Sequence, residues 1–250
     1  MKTAKTIDEV ILILEQIIVT ETKANSNLVY FPVLYKQVTH RIKEGIEKNE
    51  FENNNRMEVL DVIFANRYIK AYFQLKNNET PSQSWANAFA EANNGKLLIM
   101  QHVLLGINAH INLDLGIAVA ETVGENGDMA NFENDFNKIN EILASLVDGV
   151  QERIGRVSPL FYLLERFGKG KEDKIVTFSI LIARDGAWLF ANQYHFSHTK
   201  DLEFQRRDIV IGMLATKLTK TKSRWLQWVV KSIRWLENKD VPAVVMVLNS

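Results

Sequence analysis

The chain contains no cysteine, only 4 proline and 12 glycine among 250 residues, and no excess of charge of either sign. Without cysteine there are no disulfides, no thiolate metal ligands and no thiol nucleophiles. That absence fits a reducing compartment, and a cytoplasmic location is the expectation. The 30 Lys and Arg balance the 30 Asp and Glu, so no global field draws the protein towards a polyanion. No nucleic-acid partner is expected. No uninterrupted apolar run reaches the roughly eighteen residues of a membrane span. Asp8, Glu9 and Glu15 break the apolar start at residues 7–19, and no small-residue cleavage site closes it, so no signal peptide is expected there. The chain also lacks a P-loop, a dinucleotide fingerprint, an HExxH pattern, a serine elbow and zinc-finger spacing.

What is present is a folding composition, 46% hydrophobic and 24% charged, written mostly with helical periodicity. Residues 7–19 read as an amphipathic helix, and a second helix starts near Pro32. In residues 56–75, Met57, Leu60, Phe64, Tyr68, Ala71 and Leu75 recur at steps of three and four. Thr80-Pro81-Ser82-Gln83 resembles an N-cap, a first-position proline and a capping-box Gln before a helix with Trp85 and Phe89. Further helices are predicted over residues 132–150, from Ser158 to Phe167, over 174–194, and as one long unit over 208–236. Residues 241–248 are rich in β-branched side chains and form the best strand candidate. The fold expected is all-α: one multi-helix domain over residues 1–250, with residues 169–173 as the place for a hinge.

Residues 97–119 carry the chemistry. The run is apolar enough for a buried helix, yet it contains His102, Asn108, His110, Asn112 and Asp114. Buried amides and carboxylates need partners, so a site or a hydrogen-bond network is implied. His110 and Asp114 are four apart, as are Asn108 and Asn112 on another face. Gly106 keeps the His110 stripe narrow and permits close approach of a helix or a ligand. Asp61 and Arg67 on residues 56–75, and Arg184 with Trp188 in the apolar segment 175–190, offer complements. A buried arginine needs a carboxylate or several carbonyls, and Asp61 and Asp114 are the candidates.

Three readings follow. In the first, a small-molecule enzyme or ligand-binding protein uses His110, Asp114, Asp61 and Arg67, with Asn108, Asn112, Arg184 and Trp188 as ligand contacts. His110 would move protons, and an arginine would hold negative charge. In the second, His110, Asp114, Asp61 and His102 bind a divalent metal. The third is a paired network that only aligns the helices of a helical interaction protein. Asn66, Arg67 and Tyr68 are candidates for the cavity edge, and His195 and His198 for its lining. Near the C-terminus, Trp225, Trp228, Trp235 and Leu236 share a face amid lysines and arginines. Burial of that face, against this chain or in a homo-oligomer, is expected ahead of attachment to an anionic membrane.

The string QHVLLGINAHINLDLG at 101–116 resembles the signature of a bacterial family known as domain of unknown function 5995. LDVIFANRY at 60–68, Trp85, and Arg184 with Trp188 extend the resemblance over most of the chain. It implies a largely helical protein with a shared polar centre. It implies no activity, substrate or cofactor.

Overall fold

The computed structural model of the chain describes residues 2–160, 179–220 and 224–250. All regular structure among these residues is helical. The first helices are α1 (Ile7–Lys23), α2 (Tyr30–Glu47), α3 (Asn54–Lys76) and α4 (Gln83–Ala90). The Thr6 hydroxyl accepts from the Glu9 amide at 3.2 Å, and Asn53 Oδ1 accepts from the Arg56 amide at 3.0 Å. Each side chain satisfies a backbone donor that the first turn leaves open.

The central helix follows in three continuous pieces: α5 (Ile99–Ala109), a π-helical segment (His110–Leu115) and α6 (Gly116–Val123). Gly124, at φ 72°, ends it in a conformation that favours glycine. This helix is long and apolar enough to cross a membrane, but 89% of its most apolar window is buried inside the bundle. Five helices consume that surface: α2, α3, α4, α8 (Ile180–Phe196) and α9 (Lys200–Thr219). Leu98, Leu105, Leu113, Leu115 and Ile117 are all but inaccessible. Each such side chain stabilises the fold by about 1.5–3 kcal/mol through burial. The two glycines of the central helix set how closely its neighbours come. A Cβ on Gly106 would lie 2.4 Å from Phe31 Cγ of α2, and one on Gly116 would lie 2.8 Å from the Ala187 carbonyl oxygen of α8.

The remaining helices are α7 (Glu133–Val157), α10 (Arg224–Leu236) and α11 (Val241–Leu248). The strand expected at 241–248 is therefore a helix. Asp240 caps it by accepting from the Ala243 amide at 3.1 Å, and Pro242 stands in its first turn. Val241, Val244, Val245 and Leu248 fall on one helical face and pack with Val33, Ile154 and Val157 of α2 and α7. Tertiary burial overrides the β preference of valine.

The cap of α4 also differs from the expected Thr80 box. Asp208 of α9 reaches over instead, its carboxylate accepting from the Gln83 amide at 2.6 Å and the Ser84 amide at 2.8 Å. The long unit expected over 208–236 is two helices, α9 and α10, and α9 already begins at Lys200. The helix expected up to Phe167 and the hinge at 169–173 lie outside the described residues.

Helix α10 buries Leu226 and Ile233, with Leu98 and Leu160 against them, so among the described residues this chain itself does not cover the indole face. Trp228 and Trp235 are 72% and 76% exposed, whereas Trp85 is 2% exposed. Iodide is therefore expected to quench the tryptophan emission in two populations, one accessible and one resistant. A single uniform Stern–Volmer slope would contradict this placement.

Candidate functional site

The buried polar centre is built by the central helix, α3, α4 and α9. Asp114 is its hub: Arg67 Nε donates to Oδ1 at 3.0 Å and the Trp85 indole N–H donates to Oδ2 at 2.8 Å. His110 Nδ1 lies 3.4 Å from the same Oδ2. Arg67 also reaches towards Glu121, 3.7 Å away. On the other face, Asn112 donates to Asn108 Oδ1 at 3.1 Å, Asn108 donates to the Ile211 carbonyl at 3.1 Å, and Arg207 Nε donates to the Asn112 carbonyl at 2.8 Å. These residues form an internal network of ion pairs and hydrogen bonds. Asp114, Arg67, Asn108 and Asn112 are occupied in tying helices together. Their pairing favours the structural reading of the polar centre over the catalytic one.

The π-helical segment starts at His110 and includes Asp114. Such wide turns inside α-helices recur at functional sites. The His110 ring stacks on Phe64, with centroids 3.6 Å apart and planes 7° from parallel, and Tyr35 packs edge-on at 4.5 Å. Burial holds the imidazole below its ordinary pKa, against the opposing pull of Asp114. With Nδ1 facing a carboxylate, the neutral ring carries its proton there and presents a bare lone pair at Nε2.

Beside this network lies a cavity of about 280 Å³, bounded by α2, α3, the central helix, α7 and α8. Its walls are mostly apolar, including Leu60, Ile107, Ile111, Leu143 and Leu146. Six polar side chains interrupt them, four buried (Tyr35, Asp61, His110 and Arg184) and two more accessible (Gln37 and Gln151). Three of these carry a buried atom without a hydrogen-bond partner among the described residues: the Tyr35 hydroxyl, Asp61 Oδ2 and His110 Nε2. Thr39 is near the phenol, but its hydroxyl donates to the Tyr35 carbonyl at 3.1 Å.

Burial, with Glu58 adding to it, lifts the Asp61 carboxyl from its ordinary 3.8 to about 7. Burial first, and Asp61 second, pushes the Tyr35 phenol well up, so it remains a donor. A carboxyl that titrates near neutrality can give and take protons.

Arg184 is 3% exposed and was expected to meet a carboxylate or several carbonyls; the carbonyls are what it finds. It meets Asn140 Oδ1 through Nε and the Phe136 carbonyl through Nη2 at 2.6 Å, with its guanidinium 4.3 Å from the Phe136 ring centroid. Among the described residues Asp61 has no arginine partner, and Arg67 is taken by Asp114. Trp188 is half-buried against Phe136, 4.8 Å between centroids, and is not part of the cavity wall.

The four metal candidates do not converge. Asp114 is occupied by Arg67 and Trp85, and His102 sits against Tyr30 beneath α10, its pKa lowered to about 4 by burial and by Arg234. Among the described residues, no group of three or more His, Asp or Glu side chains is placed to hold a metal. Asn66 is spent on the backbone of Ala4, and Tyr68 is a core aromatic that stacks near Phe31 and Trp85. His195 and His198 lie in a surface depression around 195–202, away from the cavity. Sequence reasoning missed Tyr35 and Phe64 as neighbours of His110. Their helical spacing marked them only as core.

An all-helical bundle wound around a polar-bearing central helix, with a cavity against its π-helical segment, is the class of protein these features define. Residues 7–221 match the model of a family of unknown function, DUF5995, and the chain belongs to that family. No curated protein and no solved structure matches the chain.

Proposed function

We propose that the chain is a helical protein that binds a small, largely apolar molecule, its paired polar network being structural and its cavity the binding site. The observation that carries this is an apolar cavity of about 280 Å³ inside the bundle, whose lining includes the buried polar residues Tyr35, Asp61, His110 and Arg184. An unfilled apolar void costs a fold packing energy in proportion to its volume, and a bound apolar molecule restores the missing contacts.

The volume sets the size. An apolar cavity of about 150 Å³ admits benzene, so one of about 280 Å³ admits roughly ten to twelve non-hydrogen atoms. 1-Naphthol is a fitting probe, apolar with one hydroxyl. Titration calorimetry is expected to give one site per chain with Kd on the order of 10–100 μM. Leu143→Trp, which fills the cavity, is expected to abolish the heat while leaving the helical circular dichroism intact. No binding to the natural chain, or equal binding to the filled variant, defeats the proposal.

A further inference from the structure

Arg184 separates itself from every other described cation by where it sits and what it lacks. It is buried, it lines the cavity, and among the described residues it has no ion-pair partner. Asp185, its chain neighbour, is exposed and acts on it only at a distance. Burial lowers its pKa to about 10, which still leaves it charged at neutral pH. An arginine cannot escape burial by losing its proton, as a carboxyl can by gaining one. Two of its five N–H donors are spent, on Asn140 and on the Phe136 carbonyl. The rest are available to an acceptor, and the Phe136 ring fixes the plane of the fork.

Asp61 does not complement this charge. Among the described residues no ion pair or hydrogen bond joins it to Arg184, whose bonds go to Asn140 and the Phe136 carbonyl. The lining contributed by α7 extends from Ile139, beside the Asn140 that holds Arg184, to Gln151. Twelve residues of helix span about 18 Å, the length of an extended apolar chain rather than of a compact ring.

We infer that the molecule bound in this cavity is an apolar monocarboxylic acid, its carboxylate seated on Arg184 and its hydrocarbon body lying along α7. This rests on the binding reading above and adds the charge and position of the head group. A planar fork against a carboxylate is the pairing guanidinium makes best, and a desolvated site strengthens it. The apolar walls supply the remaining affinity.

The test compares three probes of one chain length, decanoate, methyl decanoate and decylamine, by displacement of 1-naphthol from the full chain. Decanoate is expected to bind at least about tenfold tighter than its methyl ester, as a charged hydrogen-bonded pair requires. Arg184→Gln is expected to erase that preference while methyl decanoate binds as before. Should Arg184→Gln fail to fold, the acid-to-ester ratio on the natural chain decides alone. Equal binding of acid and ester overturns the head-group assignment and leaves the cavity reading standing. Preference for decylamine overturns it in favour of Asp61 as the anchor. Failure of all three probes together with 1-naphthol overturns the binding proposal itself.

Discussion

Asp61→Asn is expected to make the protein more stable at pH 8, an unusual outcome for a substitution in a binding cavity. The carboxyl is raised from 3.8 to about 7 by burial, so the folded state holds its proton over a range where the unfolded chain has released it. Stability from this group is therefore fully present below about pH 4, is lost as pH rises towards 7, and is flat above that. A rise of this size corresponds to roughly 4 kcal/mol at most. Asn keeps the shape and never acquires the charge. Urea unfolding of the two proteins should show them nearly equal at pH 4 and Asp61→Asn ahead by a few kcal/mol at pH 8. His110 and His102, both depressed by burial, bias the natural chain the other way by destabilising it below about pH 6.5. They do so equally in the variant, so the difference between the two curves isolates Asp61. Parallel curves would show that the carboxyl is neither dry nor unpaired. A group whose removal stabilises a fold is one the fold keeps for another reason.

The opposite is expected at Asp114. Asp114→Ala removes one carboxylate and strands three partners: the Arg67 guanidinium, the Trp85 N–H and His110 Nδ1. Breaking a buried pair from one side costs about 3–5 kcal/mol, since the abandoned charge stays in a poor solvent. For a chain of this size that is a fall in Tm of roughly 10 °C. Arg67→Ala is expected to cost less, because Arg67 is 24% exposed and the remaining carboxylate keeps its indole donor. The double variant should fall short of the sum of the two losses. Additive losses would mean that the Arg67–Asp114 contact contributes nothing of its own.

These two aspartates also mark how far the sequence could be read. Both were legible as buried carboxylates, because each shares a helical face with large apolar residues. Which of them would meet Arg67 was not legible, since the choice depends on the rotation of the central helix against α3. That rotation is set within the π-helical segment, which follows no residue pattern that period counting detects. The apolar stripes at 7–19 and 56–75 and the all-round apolar run at 97–119 did yield the helices and the central position of α5 and α6. Residues 241–248 misled because valine counts towards strands in isolation, and only the apolar surface of α2 and α7 makes a helix there worthwhile. The cap that Asp208 provides to α4 crosses 124 positions of sequence, and no local motif encodes it. The cavity was equally hidden: a void is a property of how five helices fail to close, and Tyr35, Phe64 and Leu143 looked like any other core residues.

The π-helical segment bears on how this chain could change over time. An α-helix advances about 100° per residue, so the wide turn at His110–Leu115 resets the angular phase between α5 and α6. Upstream, α5 offers Gly106 to Phe31; downstream, α6 offers Gly116 to the backbone of α8. Both close contacts hold only at the present phase. Exchange of one side chain within the turn disturbs only the partners of that side chain, whereas deletion of a single residue would swing every downstream position by about 100° and drive side chains where glycines now stand. The segment is thus a frame-keeping element, whose length binds everything downstream while each side chain answers only to its own partners.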